Sequence, residues 1–194
     1  MRTAPLLFFF CLCPAAALAG GATSAYTSFD LEKTCRLIER DEETGSYASW
    51  SCPGHGDMAV RQSVSDDRGF VGFGPSPEST CAYRKTFTPF NTPLSPIEWR
   101  LRGGRAFAAI ERWRVVTGDD GNSVTWLVVT KLDGNEACHI HYVAGSFPKA
   151  NEEARRAADS YAGGFDCETD TPRVSTTSLP PPIDLASCRD LAAE

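Results

Sequence analysis

Beyond its first nineteen residues the sequence lacks any apolar run of the roughly 20 residues that a membrane-crossing helix requires. It also lacks the spacings that announce common chemistry. There is no G-x-S-x-G elbow, no H-E-x-x-H and no glycine-rich phosphate loop ahead of a helix, which removes the motif-bearing serine hydrolases, zinc peptidases and nucleotide binders. No C-x2-C pair is present, which argues against a zinc-finger type site. Positive charge is in deficit, with 19 Lys and Arg against 25 Asp and Glu. An acidic chain repels phosphate backbones, so nucleic acid is not an expected partner. No internal repeat is visible.

What is present begins with the leader. Residues 1–19 carry one charge, Arg2, then an apolar core from Leu6 to Leu12 and an A-x-A site at Ala17-Leu18-Ala19, the layout of a cleaved secretory signal peptide. Cys11 and Cys13 leave with it, and the bulky Phe10 and Leu12 argue against a lipoprotein signal. Cleavage leaves 18 basic against 25 acidic side chains, a balance of −7. The remaining length, about 175 residues, suits one domain with a real core, and no membrane span is expected after cleavage. Six cysteines remain, Cys35, Cys52, Cys81, Cys138, Cys167 and Cys188. An even set in an exported chain implies disulfides, although six residues allow about 15 pairings. Leader and cysteines together imply a periplasmic or secreted protein.

The segment 34–52 reads as a hairpin around the polar turn Asp41 to Gly45. A five-residue loop places Cys35 opposite Ser51, and a one-residue bulge places it opposite Cys52, so a cross-strand Cys35–Cys52 bridge is expected. Its loop constrains the unfolded chain by roughly 3 kcal/mol. Two short strands surround Asp66 to Gly69, and in "GFVGFG" Phe70 and Phe73 alternate as strand residues do. The proline-rich segment 75–96 reads as irregular, pinned by Cys81. Two further hairpins follow, one at Gly103-Gly104 and one centred on Asp133-Gly134. A helix is expected where Ala150, Ala154, Ala157, Ala158 and Tyr161 share a face, with Glu152–Arg156 as an i,i+4 pair and Gly163-Gly164 as its stop. Residues 169–194 are rich in Pro, Ser and Thr and read as a mobile tail, with Cys188 tying it back. The expected architecture is therefore α+β: an antiparallel sheet of about six to eight strands, one C-terminal-side helix packed on it, and disulfides across a single domain from residue 20 to 168. A β-sandwich or barrel with a terminal helix is the alternative.

Two groups of residues carry possible chemistry. A turn at Asp133-Gly134 pairs Val128 with His139 and Trp126 with His141, and residues two apart on a strand share a face. With His55, the pair His139 and His141 forms a candidate zinc or copper site for a metal-binding protein or metal-dependent hydrolase. The blander reading places one histidine in a core hydrogen bond and the other at a solvated edge. The second group is Trp99, Arg100, Arg102, Arg105, Arg112 and Trp113, read as an interaction patch for a protein partner or an anionic envelope ligand. Glu98 and Glu111 either pair across the Gly-Gly hairpin or balance these arginines. No catalytic residue is assigned, and no cofactor is expected apart from that metal.

The stretches "YTSFDLEKTC", "SWSCPGHGDMAV", "IEWRLRGGRAFAAIERW", "LVVTKLDGNEACHIHYV" and "ANEEARRAADSYAGGFDC" resemble a group of uncharacterised small exported proteobacterial proteins. The resemblance covers most of residues 26–167. It implies an envelope or extracellular location and one compact domain, and it implies no activity. The function expected from the whole is a non-enzymatic binding or interaction module.

Overall fold

The computed structural model describes residues 21–118, 121–178 and 180–191, so the leader lies outside the described residues. The strands are β1 (Thr23–Thr27), β2 (Arg36–Arg40), β3 (Tyr47–His55), β4 (Met58–Ser65), β5 (Arg68–Phe73), β6 (Asn91–Arg102), β7 (Arg105–Val116), β8 (Ser123–Asp133) and β9 (Glu136–Ala144). Helix α1 (Ala150–Tyr161), strand β10 (Arg173–Ser175) and the short helix α2 (Cys188–Leu191) complete the chain. All ten strands join one sheet in the order β10-β9-β8-β7-β6-β5-β4-β3-β2, with β1 paired to β6. The expected six to eight antiparallel strands are thus ten in a mixed sheet. Its parallel junctions are β5–β6 and β9–β10. Both follow from long connections: the proline-rich segment carries the chain from the end of β5 to the start of β6, and α1 bridges β9 and β10 as a crossover helix.

Turn chemistry sets the hairpins. In the β2–β3 turn, the Asp41 carboxylate accepts from the backbone N–H groups of Glu43 and Thr44 at 2.9 and 3.2 Å. The register shifts by one residue between Leu37 and Glu39, which aligns Arg36 with Ser51 and brings Cys35 beside Cys52. The expected bridge forms there. Gly103 and Gly104 both take positive φ between β6 and β7. The β8–β9 turn is displaced by one residue from its expected centre. Asp133 pairs with Glu136, leaving Gly134 and Asn135 in the turn.

The proline-rich segment is more structured than its composition implied. Residues 91–96 already belong to β6, and Pro96 falls where the β6–β7 register shifts, so its missing N–H interrupts no regular ladder. The glycines of "GFVGFG" let this segment cross β5 closely. A Cβ at Gly69 would stand 2.3 Å from the Pro93 Cδ, and one at Gly72 would stand 2.1 Å from the Pro77 carbonyl oxygen.

Two cores result. The sheet curls so that β3–β5 face β6–β9 across the first, which contains Val60, Val71, Phe73, Trp99, Trp113, Trp126 and Tyr142. Phe87, from the proline-rich segment, is fully buried at its centre. Its ring centroid lies 5.5 Å from that of Trp113, 6.4 Å from Trp126 and 6.1 Å from Tyr142. The second core lies on the other face of β7–β9. There Ile110, Leu127, Val129 and Ile140 pack against Ala150, Ala154, Ala157 and Ala158 of α1. The alanine stripe lets the helix approach closely, as its spacing predicts. The surface pairing on α1 differs from expectation: Arg156 takes Glu153 at 2.6 Å, and Glu152 takes Lys149 at 3.3 Å. Glu153 faces the sheet, where Ser175 also holds it, and that fixes it for Arg156.

The described part of segment 169–194, expected as a mobile tail, belongs to the fold. β10 extends the sheet beside β9, Ile183 enters the first core, and Cys188 bonds Cys81. The buried Lys85 ammonium donates to the carbonyls of Asp184 and Ala186, and the Thr88 N–H donates to the Pro182 carbonyl at 2.8 Å. Cys138–Cys167 closes the third bridge, beside the helix. Three disulfides are typical of chains that mature in an oxidising compartment. Among the described residues no helix is long and apolar enough to cross a membrane.

The bridges should differ in weight. Cys81–Cys188 spans 107 residues and Cys35–Cys52 spans 17. By loop entropy, replacing the first pair with serine should cost about 5 kcal/mol and the second about 3 kcal/mol. Denaturant unfolding of the two double variants should show this order; equal midpoints would contradict it.

Candidate functional site

The hairpin β8–β9 carries two histidines, and a bulge decides where they point. Thr130 pairs with His139 and Val129 with His141, so Ile140 is the extra residue. One residue of bulge reverses the alternation. Cys138, Ile140 and Val143 belong to the helix-side core, whereas Ala137, Tyr142 and Ala144 belong to the inner one. The two histidines consequently meet different neighbours. His139 Nδ1 lies 2.8 Å from the Tyr142 hydroxyl, with the rings edge to face at 5.6 Å. His141 Nε2 lies 2.8 Å from Ser175 Oγ, and its ring stacks parallel to Tyr161 at 6.0 Å. His55 sits elsewhere, 6.1 Å from the Trp99 ring. The three imidazoles do not converge, and no group of three His, Cys, Asp or Glu side chains among the described residues could hold a metal ion.

Burial pushes His139 down to about 3, with the Lys85 charge adding to it. Burial also pushes His141 down to about 4, against the pull of Glu153. The His141–Ser175 contact has the atoms of a nucleophile and its base but not the proton arrangement. Ser175 Oγ also lies 2.8 Å from Glu153 Oε1, and its single proton goes to that carboxylate. Neutral His141 must then donate from Nε2 to Ser175, a tautomer assigned from this proton count. Its Nδ1 lone pair is buried without a partner. A base that donates to its nucleophile cannot activate it.

The Trp/Arg group is divided between interior and surface. Trp99 and Trp113 are 0 % and 1 % exposed, so neither belongs to a surface patch. β6 and β7 are covered on both faces, by the curled sheet on one side and α1 on the other, and the alternation sends the indoles inward. Trp99 donates to Thr27 at 3.0 Å and Trp113 to Glu111 at 3.0 Å. Arg100 is buried under the helix and grips Asp159 with two donors, at 2.9 and 2.7 Å. Arg112 donates to Asn151. Arg102 and Arg105 remain exposed, with the Arg102 guanidinium 4.4 Å from the Phe107 centroid, beside a recess of about 320 Å³ that Asp57 and Asp133 also border. Glu98 and Glu111 do not pair with each other. Glu98 bonds Arg155 of α1 at 2.6 Å. Glu111 is buried beside Trp113, and burial pushes it up to about 8, so it is mostly the neutral acid at pH 7.

A concavity of about 670 Å³ lies at the end of the curl where β7 passes into β8. Val116, Val124, Trp126 and Ala144 form its sheet wall, and Pro89, Pro180 and Pro182 form the opposite one. Thr117, Thr125, Ser146 and Ser178 contribute hydroxyl-bearing side chains. Two exposed apolar residues, Phe90 and Val124, stand at this end. The Val116 N–H donating to the Phe90 carbonyl at 2.9 Å ties the two walls, and the Thr88–Pro182 bond joins the two segments of the proline wall. Sequence reading did not find this cleft. Its residues come from five separate segments, and their one shared signal is proline at both 89 and 180–182.

Comparison with known protein families, with curated proteins and with solved structures finds no match to this chain.

The buried groups set a pH optimum of stability. Unfolding lets the two histidines protonate near 6.5, which they resist when folded, so stability rises with pH up to about 6.5. Glu111 acts oppositely. It ionises near 4.5 when unfolded and near 8 when folded, so its contribution falls as pH rises between those values. The histidines outnumber it below 6.5, and above that it acts without them. Thermal melts across pH should peak near 6.5, and Glu111→Gln should flatten the alkaline limb, which is worth on the order of a few kcal/mol. An unchanged limb would show that Glu111 is ionised in the fold.

Proposed function

We propose that this protein is a non-enzymatic binding module of the periplasm or the cell exterior, and that its ligand enters the cleft beside Trp126. The cleft carries the reading. Its volume of about 670 Å³ is that of a small-molecule site, and apolar side chains with a few hydroxyls line it. Its proline wall is held in place by the Cys81–Cys188 bridge and by Lys85, so the site is preformed and entropy lost on closure is small. The leader, the three disulfides and the resemblance to small exported proteins support the location. The titratable groups around α1 already have structural duties: Arg100, Asp159, Glu98 and Arg155 hold α1 to the sheet, and Glu153 and His141 hold β10.

Saturable enhancement of Nile red fluorescence by the mature chain tests this reading. Val124→Glu, which sets a charge at the apolar rim, should weaken dye binding by about tenfold or more. The double variant Arg102→Glu with Arg105→Glu, at the other recess, should leave it unchanged. The reverse pattern would move the site to the arginine end and favour an anionic ligand.

A further inference from the structure

We infer that the chain has a second site, in the crease between β6 and α1, which takes a small carboxylate anion with an apolar body and holds it on Arg112. A recess of about 200 Å³ opens there, and it shares no lining residue with the cleft. The buried side chains of Ile110 and Leu127 line it and supply an apolar surface. Three charged side chains border the same space, and they do not cancel. Glu98 is committed to Arg155, whose Nε and Nη2 reach its two carboxylate oxygens at 2.6 and 3.2 Å. Arg112 has a neutral partner instead: its Nη2 donates to the Asn151 side-chain oxygen at 2.9 Å. Arg112 also stands in mid-strand, about 13 Å short of the end of β7 at Val116, so the strand keeps it apart from the β7–β8 turn. One positive charge is left over, on a half-buried guanidinium whose remaining donors are uncommitted among the described residues. A carboxylate suits that remainder, because its two oxygens match the guanidinium fork and its single charge completes the local balance. The Tyr26 hydroxyl is a further donor: it accepts from Arg155 at 3.2 Å, which leaves its own proton free. These donors are set in place before a ligand arrives, Arg112 by Asn151 and Tyr26 by Arg155, two residues one turn apart on α1. The recess is smaller than a drug-sized pocket, which sets the ligand at about the size of one ring.

The test is a chemical-shift titration of the full mature chain, labelled with nitrogen-15, using benzoate and its neutral isostere benzamide at low ionic strength. Benzoate should saturate in the millimolar range and bind about tenfold more tightly than benzamide, the gain expected for a charge-assisted pair. It should also move one arginine Nε–H signal, the one that disappears in Arg112→Gln. That variant should bind benzoate no better than benzamide. Arg112→Lys keeps the charge and the aliphatic stem and is the second variant, for use if the first does not fold. It loses the fork and should bind benzoate several-fold more weakly than the unaltered chain. Val124→Glu, at the cleft, and the Arg102→Glu with Arg105→Glu double variant, at the other recess, should both leave benzoate binding unchanged. Equal affinity for benzoate and benzamide, no saturable benzoate binding, or benzoate binding that survives at Arg112→Gln and is lost in the Arg102/Arg105 variant overturns the inference. None of these results bears on dye binding in the cleft, so that reading stands or falls separately.

Discussion

The central strands of this sheet are apolar on both faces, and a single helix of 12 residues, about 18 Å long, can cover only one of them. The other face must be covered by the sheet itself. The curl over Trp99, Trp113, Trp126 and Tyr142 meets that requirement, and Phe87 fills the space at its centre. The rest of the architecture follows. The connection that delivers Phe87 has to cross β5, which needs Gly69 and Gly72 where other strands carry side chains. It also returns the chain beside β5 in the same direction, which makes the sheet mixed. Where the curl opens, at the β7–β8 end, its inner face remains partly uncovered, and that gap is the cleft.

Burial on both sides also explains why so many polar groups of β6, β7 and β9 lie inside. Each inward or helix-facing charge has a partner on the element that covers it: Arg100 on Asp159, Glu98 on Arg155, Lys85 on the carbonyls of the returning segment. Pairs of this kind add little net stability, because desolvation consumes most of the attraction, but breaking one leaves a buried charge. Their effect is to fix the seating of α1 and of the last segment on a sheet whose apolar surface alone would tolerate sliding.

Local chemistry was readable in the sequence, and long-range choices were not. The turns at Asp41–Gly45 and Gly103–Gly104 are encoded within a few residues, and so is the bulge that aligns Cys35 with Cys52. The alanine stripe of α1 was equally plain. The β8–β9 register was misplaced because the turn centre moved by one residue and because a bulge at Ile140 has no composition signal; together these send His139 and His141 into different cores. The tryptophans and Arg100 looked like a surface group because alternation names two faces without saying that both are covered. The segment after Cys167 looked unstructured because Pro, Ser and Thr report poor sheet and helix propensity, whereas a disulfide and Lys85 hold it regardless. The cleft was invisible for the same reason: its walls meet only after the curl and the returning segment are in place.

The proline wall of the cleft takes no part in the strand ladder. Residues 178 and 180–182 are suspended between β10 and the bridge at Cys188, and they contact the sheet through few bonds. Substitutions there can reshape the opening without disturbing strand pairing or the aromatic interior. A lineage could therefore retune what the cleft admits by altering this short cord, while the body that supports it stays the same.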